Sequence, residues 1–208
     1  MTRYDKRVQA LAVGLSALAG YVDAIGFIEL GGFFVSFMSG NSTRLAVGLI
    51  EGSREVAIAG GLIAIFVVGV TSGSLAGTFA TKHRRAVVLA FVATLLAVAA
   101  ACATGGATSI AIIAMVLAMG VENAVFEQDG ELRIGLTYMT GTLVKVGQRM
   151  ASALMGGDRL AWVPYGLLWA GLVTGAVAGA VAHAWLGLGA LWLAAGVSLA
   201  FATLARAR

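Results

Sequence analysis

Long apolar stretches separated by short polar segments are the dominant pattern of this 208-residue chain. A helix needs about 20 apolar residues to cross the ~30 Å hydrocarbon core of a bilayer. Several stretches reach that length with few charged residues inside them. The pattern predicts a polytopic α-helical membrane protein, with transmembrane helices at about 8–29, 56–80, 86–104, 107–126, 161–183 and 186–205.

Composition agrees with this interpretation. Sixty per cent of the residues are hydrophobic and 12% are charged, whereas soluble domains hold about half and about a quarter in those classes. Glycine is abundant, at 29 residues, as close helix packing in lipid requires. Lipid is therefore the expected main solvent of this chain.

Two further apolar stretches, 32–50 and 134–155, are broken in the middle by small polar residues. The first contains Ser39-Gly40-Asn41-Ser42-Thr43 and the second contains Thr140-Gly141-Thr142. Irregular backbone at membrane depth has to be buried in protein or line a watered cavity, because unpaired amides are costly in lipid. We therefore expect these two broken segments to contribute to a binding site.

Three motifs of the first half recur in the second half, in the same order and at offsets that drift from 100 to 102 residues. Duplication followed by divergence leaves this pattern, so we predict two related halves, 1–105 and 106–208. The matching motifs are Gly20-x-x-Asp23-Ala24 with Gly120-x-x-Asn123-Ala124, Met38-Ser39-Gly40-Asn41 with Met139-Thr140-Gly141-Thr142, and Gly69-x-x-x-Gly73-x-x-x-Gly77 with Gly171-x-x-x-Gly175-x-x-x-Gly179.

Basic clusters predict the orientation of the chain, because Lys and Arg are retained on the cytoplasmic side. If both broken segments cross completely, the middle cluster falls outside. If both enter and leave on one side, six crossings remain, and all three clusters and both termini are cytoplasmic. We predict the second arrangement. The clusters are Arg3, Lys6 and Arg7, then Lys82, Arg84 and Arg85, and finally Arg206 and Arg208.

The predicted fold is thus an all-α integral membrane bundle of six transmembrane helices plus two re-entrant segments. Its two three-helix halves have opposite orientations, which makes them inverted repeats, a recurring plan among transporters. The two glycine ridges each lie along one helix stripe, since four residues advance about 400°. They predict close packing between the halves, and a homodimer interface is the alternative.

The broken segments also predict ligand chemistry. A glycine would supply each turn, and Ser, Thr or Asn would cap a new helix, whose N–H groups and dipole attract negative charge. Arg44 and Lys145 would lie about one turn into these helices. An anionic or carboxylate-bearing ligand near the membrane midplane is the expected partner.

Acidic residues lie in the first and fourth predicted helices: Asp23 in the first, and Glu122 beside Asn123 in the fourth. Buried charges are costly in a membrane, so these groups should face the bundle interior and find partners. Asp23 with Arg44 and Glu122 with Lys145 is one pairing, and the crossed pairing is the other. Either the acids form structural ion pairs, or one of them is a protonation or cation site coupled to transport.

Other classes of function find little support in the sequence. No motif of a hydrolase elbow, a zinc protease helix or a P-loop occurs, and His83 and His183 have no metal-ligand spacing. We therefore expect no enzyme activity, no cofactor, no metal and no nucleic-acid partner. The single Cys102 excludes an intrachain disulfide.

Four ordered motifs resemble the YoaK-like family, bacterial inner-membrane proteins with a domain of unknown function. The resemblance implies about six crossings and a bacterial inner-membrane location, and it implies no substrate. The family commonly has Gln where this chain has Glu122, and Thr-Gly-Asn where it has Ser39-Gly40-Asn41. The motifs are Gly20-Tyr21-Val22-Asp23-Ala24, Phe37-Met38-Ser39-Gly40-Asn41, Gly120-Val121-Glu122-Asn123-Ala124 and Met139-Thr140-Gly141-Thr142-Leu143.

The leading hypothesis is a small-solute transporter that works by alternating access. A channel lined by the two broken segments is one alternative, and a membrane scaffold or sensor without flux is another. The expected partners are a small molecule or ion and the membrane lipid. The predicted site comprises Asp23, Asn41, Arg44, Glu122, Asn123, Thr142 and Lys145.

Overall fold

A computed structural model describes residues 5–80, 83–128, 131–132 and 134–206. Its regular secondary structure is helical except for one pair of two-residue strands, Glu127–Gln128 and Glu131–Leu132. Short 3-10 turns cover Asn123–Phe126 and Gly187–Ala190. The helices are α1 (Lys6–Glu29), α2 (Met38–Glu51), α3 (Glu55–Ala80), α4 (Arg84–Thr104), α5 (Thr108–Glu122), α6 (Met139–Leu154), α7 (Val163–Leu186) and α8 (Leu191–Arg206).

Five helical segments in the described residues are long and apolar enough to cross a membrane. The last of them, Val163–Arg206, has 44 residues and contains both α7 and α8. Every apolar stretch expected to form a transmembrane helix is helical, with ends within about five residues of the predicted ones. The prediction of an α-helical, multi-pass membrane protein is therefore supported. Arg3, Lys82 and Arg208 lie outside the described residues.

Each broken segment consists of a non-helical stretch followed by a short helix. The first stretch covers 30–37 and leads into α2, which has 14 residues. The second precedes α6, which has 16 residues. At 1.5 Å per residue these helices are about 21 and 24 Å long, shorter than the hydrocarbon core.

The position of both breaks differs from the prediction. Gly40 and Gly141 do not supply the turns, since α2 already begins at Met38 and α6 at Met139. The chain turns instead directly after α1, at Gly31 and Gly32, whose φ angles of 63° and 103° favour glycine.

The helix starts also differ from the prediction. Among the described residues, no side chain caps the N-terminus of α2 or α6. Arg44 and Lys145 are therefore nearly two turns into these helices, rather than one turn.

Helix α1 packs most extensively against α7, at the glycines of α7. A Cβ atom at Gly175 would lie 1.9 Å from the carbonyl oxygen of Ala17, and one at Gly179 would lie 2.2 Å from that of Tyr21. The residue numbers rise together along both helices, so α1 and α7 run in the same direction.

Helix α3 packs against α5 in a similar way. A Cβ atom at Gly69 would lie 2.5 Å from the carbonyl oxygen of Leu117, and one at Gly73 would lie 2.9 Å from that of Val121. These two helices are parallel as well. The glycines at these positions are thus used in contacts within the chain.

Helix α8 runs antiparallel to both α1 and α4. Tyr21 near the end of α1 donates to the carbonyl oxygen of Ala190 at 3.0 Å, while Gly14, earlier in α1, contacts the ring of Phe201. The starts of α1 and α4 and the end of α8 therefore meet at one end of the bundle. Since Arg7, Arg85 and Arg206 lie there, we name it the basic end.

Candidate functional site

The two broken segments meet at a cavity of about 440 Å³. Each segment contributes the residues at its junction between non-helical backbone and helix, and α3 contributes one aromatic ring. The lining residues are Ser36, Phe37, Met38, Ser39, Phe66, Thr137, Tyr138, Met139, Thr140 and Gly141.

The cavity is lined by matching positions of the two segments. Four residue pairs that are 101 positions apart in the sequence contribute to it, and each pair conserves chemical character: two hydroxyls, two aromatic rings, two thioethers and again two hydroxyls. The pairs are Ser36 with Thr137, Phe37 with Tyr138, Met38 with Met139, and Ser39 with Thr140.

Asp23 on α1 holds the first segment in place. Its Oδ1 atom accepts hydrogen bonds from the backbone N–H groups of Val35 and Ser36, both at 2.8 Å. These amides belong to no helix, so they need an acceptor at membrane depth. Asp23 thereby fixes a lining residue of the cavity without lining the cavity itself.

Asn123, the counterpart of Asp23, holds the second segment. Its Oδ1 atom accepts a hydrogen bond from the Thr137 hydroxyl at 3.4 Å, and its Nδ2 atom donates to the carbonyl oxygen of Met119 at 2.9 Å. Thr137 is the counterpart of Ser36. The two halves therefore place matching polar residues in matching roles, although the bond in the second half is longer.

Asn41 binds the first turn of α2 to the stretch that precedes it. Its side chain is fully buried, accepts from the Phe34 N–H at 3.0 Å and donates to the Phe34 carbonyl at 2.7 Å. Thr142, at the matching position, is also buried, and its backbone N–H donates to the Tyr138 carbonyl at 3.0 Å. In the sequence, both residues come shortly after the cavity-lining positions of their segments.

Arg44 does not pair with Asp23, so this predicted ion pair is wrong. Its guanidinium lies 3.6 Å from the carboxylate of Glu55 and 4.6 Å from the centre of the Phe33 ring. Two backbone amides already occupy Asp23, and Arg44 is far enough along α2 to reach the start of α3.

The predicted pair of Glu122 and Lys145 is also wrong, and the crossed pairing does not form either. Lys145 is exposed on α6 and its ammonium group lies 5.7 Å from the centre of the Tyr165 ring. Glu122 is fully buried, and neither carboxyl oxygen has a hydrogen-bond partner among the described residues. The helix containing Lys145 packs against α7, away from α5.

Two side-chain contacts that the sequence does not predict, one ion pair and one carboxylate–imidazole contact, lie at opposite ends of the bundle. Glu127 lies 2.9 Å from Arg84 and accepts from the Ser74 hydroxyl at 2.5 Å, which links the regions after α5 and α3. Glu29 lies 2.6 Å from His183, which links the ends of α1 and α7. The hydrogen bond from Ser74 to Glu127 joins α3 to the segment after α5, and the contact of Glu29 with His183 joins α1 to α7.

None of the predicted site residues lines the cavity. Asp23, Asn41, Asn123 and Thr142 bind its lining residues or follow them in the sequence, whereas Arg44, Glu122 and Lys145 make no contact with the lining that the structure shows. The sequence motifs do not include the lining residues Ser36 and Thr137. Both lie two positions before a motif, Ser36 before Met38-Ser39 and Thr137 before Met139-Thr140, and the same 101-residue offset relates them. The described lining side chains are hydroxyls, aromatic rings and thioethers, without a charge. The first turns of α2 and α6 border the cavity, where helical N–H groups lack intrahelical acceptors.

Comparisons with known proteins identify the family of the chain. The model of a family described as "Protein of unknown function (DUF1275)" matches residues 11–204. A UPF0700 transmembrane protein of Rhizobium meliloti (strain 1021) is 37% identical over 184 residues, which cover 88% of this chain and 80% of that protein. No solved structure matches the chain significantly. The resemblance to bacterial membrane proteins of unknown function is consistent with these matches, and the chain belongs to the DUF1275 family.

Proposed function

We propose that the protein is a small-solute transporter of the bacterial inner membrane, and that it binds an anionic or carboxylate-bearing solute in the cavity between the two broken segments. The cavity itself carries this proposal, since two matching sets of residues, one from each half, line an open volume of about 440 Å³ at the starts of two short helices. Small-molecule sites typically have volumes of about 300–1,000 Å³.

The packing of the helices supports inverted repeats. In the repeat, α1 corresponds to α5, and α3 corresponds to α7. Exchange of the two halves therefore turns the α1–α7 contact into the α5–α3 contact, and the structure has both contacts. The α4–α8 pair converts into itself and is antiparallel, as an axis in the membrane plane requires. Transporters with inverted repeats place their sites at broken helices near the repeat interface.

The ends of the helices support six crossings. Helix α2 runs back along α3, with Gly48 near Val56 and Leu45 near Gly60, so the first segment enters and leaves opposite the basic end. The second segment follows α5 and leads into α7, both at the basic end. Because arginine is retained on the cytoplasmic side, this arrangement favours a cytoplasmic basic end and, with it, cytoplasmic termini.

The ligand chemistry follows from the lining. Hydroxyl groups donate hydrogen bonds to a carboxylate, and each helix N-terminus carries roughly half a positive elementary charge. The apolar rings and thioethers suit the remainder of a small organic anion. Arg44 and Lys145 are both engaged away from the cavity, so the anion is bound without a lysine or arginine.

The motion follows from the two helix pairs. Each broken segment contacts both pairs: the first binds α1 through Asp23 and packs α2 on α3, and the second binds Asn123 after α5 and packs α6 on α7. Rocking of the α1–α7 pair against the α3–α5 pair therefore shifts both segments at the cavity, which couples the bound solute to alternating access.

A binding screen tests the proposal. Purified protein is mixed with a panel of small carboxylates and inorganic anions, and the unfolding temperature is measured, since a ligand of the folded state raises it by mass action. The increase for a hit should be reduced in Ser39→Ala and Thr140→Ala. It should persist in Ser42→Ala, an exposed residue of α2 outside the cavity.

The outcomes separate the candidate classes. A hit that is insensitive to both cavity variants places the site elsewhere and contradicts the proposal. A channel gives flux without saturation or counterflow at modest concentration, and a scaffold or sensor gives no flux under any gradient.

A further inference from the structure

A second cavity lies at the basic end, away from the broken segments. Its volume is about 300 Å³, and it opens between the start of α1, the start of α4 and the end of α8. We call it the basic groove. Its main lining residues are Arg7, Val8, Leu11, Arg85, Phe201 and Leu204.

The basic groove carries positive charge without a carboxylate among its lining residues. Within the described part of the chain, the guanidinium of Arg7 forms no ion pair, and the Asp5 carboxylate accepts from the backbone N–H of Arg7, at 3.4 Å. The Arg85 guanidinium lies 5.5 Å from the centre of the Phe126 ring. Both cations are thus available to an anionic group.

The wall of the groove is apolar and shaped by a glycine. A Cβ atom at Gly14 would lie 2.7 Å from the tip of the Phe201 ring, so the absence of a side chain lets this ring lie against α1. Leu11 and Leu204 extend the same wall. A ligand that fills this groove has an anionic head and an apolar chain.

The position of the groove selects a lipid among such ligands. It lies at the ends of three candidate membrane spans, where phospholipid headgroups are expected. Basic pockets between transmembrane helices on the cytoplasmic side bind anionic headgroups, and charge complementarity excludes a zwitterionic lipid as the preferred occupant. We infer that the basic groove binds an anionic phospholipid, with its phosphate on Arg7 and Arg85 and one acyl chain along Leu11 and Phe201.

Lipid retention by the purified protein tests this inference. The detergent-solubilised protein is titrated with phosphatidylglycerol or phosphatidylcholine, and bound lipid is counted by native mass spectrometry. Arg7→Gln and Arg85→Gln should each weaken phosphatidylglycerol binding about fivefold. Arg159→Gln is the matched control, because this exposed arginine lies at the same end but outside the groove.

Four results would overturn the inference. These are equal retention of both lipids by the wild type, unchanged phosphatidylglycerol binding in the two single variants, displacement of the lipid by millimolar inorganic phosphate, and occupation of the groove by a second copy of the chain. The comparison of the two lipids uses the wild type alone, so it remains decisive if a variant fails to fold. It is also independent of which solute the protein transports.

Discussion

The Asp23 carboxylate and the backbone N–H of Ser36 lie 2.8 Å apart, which joins the interior of α1 to a residue that lines the central cavity. The same carboxylate oxygen accepts from Val35. One side chain of α1 therefore determines where the first broken segment lies. An aspartate that could have served as a charge carrier is used to satisfy backbone amides.

Asp23→Ala should destabilise the protein by about 2–6 kcal/mol, because it leaves two buried N–H groups without an acceptor, at about 1–3 kcal/mol each. Asp23→Asn keeps an acceptor oxygen and should cost much less. Thermal unfolding in detergent measures both. If the unfolding temperature of Asp23→Asn is as low as that of Asp23→Ala, the negative charge itself is required for stability, and acceptance of the two N–H groups does not explain the role of Asp23.

Gly175→Ala should destabilise the α1–α7 pair by about 1–3 kcal/mol, as overpacking of a close contact does. The added Cβ atom would meet the Ala17 carbonyl oxygen at 1.9 Å. Gly61→Ala in α3 is the control, because nothing lies within 4 Å of its Cβ position. An equal effect of both substitutions would show that helix propensity, rather than packing between the halves, determines stability.

Glu122→Gln should change the free energy of unfolding by less than about 1 kcal/mol. The rate of solute flux should stay within about twofold of that of the wild type. The exchange removes no ion pair or hydrogen bond seen among the described residues. Glu127→Gln is the contrasting variant, since Glu127 binds Arg84 and Ser74, and it should lower the unfolding temperature. A complete loss of flux in Glu122→Gln, with stability retained, would instead assign Glu122 a role in coupling.

Single cysteines at Arg54 and Arg159 should react from opposite sides of the membrane. Both positions are exposed, in the turns before α3 and before α7. Labelling with a membrane-impermeant maleimide in a Cys102→Ala background should reach Arg54→Cys from outside and Arg159→Cys only after the membrane is opened. Labelling of both from the same side would contradict six crossings and inverted halves.

The transmembrane helices could be predicted well from the sequence, because the apolar length needed to cross a bilayer leaves few alternatives. The sequence also indicates that Asp23, Asn41 and Asn123 need hydrogen-bond partners, since they are polar residues in apolar stretches. Their partners could not be predicted. Asp23 binds backbone amides, which are present at every position and leave no sequence signal.

The errors have a common physical origin. Charge pairing assigned Arg44 to Asp23 because both were expected to be buried, whereas the length of α2 brings Arg44 to Glu55 at the start of the next helix. The sequence predicts a glycine turn in the middle of the first broken segment, because glycine commonly breaks a helix. The non-helical stretch lies before Gly40 instead, where Asp23 and Asn41 accept hydrogen bonds from its backbone N–H groups. In both cases a contact with a neighbouring segment outweighed a preference of the residue itself.

Solute counterflow in proteoliposomes tests the central claim most directly. Vesicles containing the purified protein are loaded with an unlabelled carboxylate identified by the binding screen, and uptake of the labelled solute is followed against dilution. A carrier with its site in the cavity gives saturable uptake with a transient overshoot, which Ser39→Ala and Thr140→Ala reduce and Ser42→Ala does not. Flux without saturation or overshoot, or counterflow that neither cavity variant changes, would contradict this account.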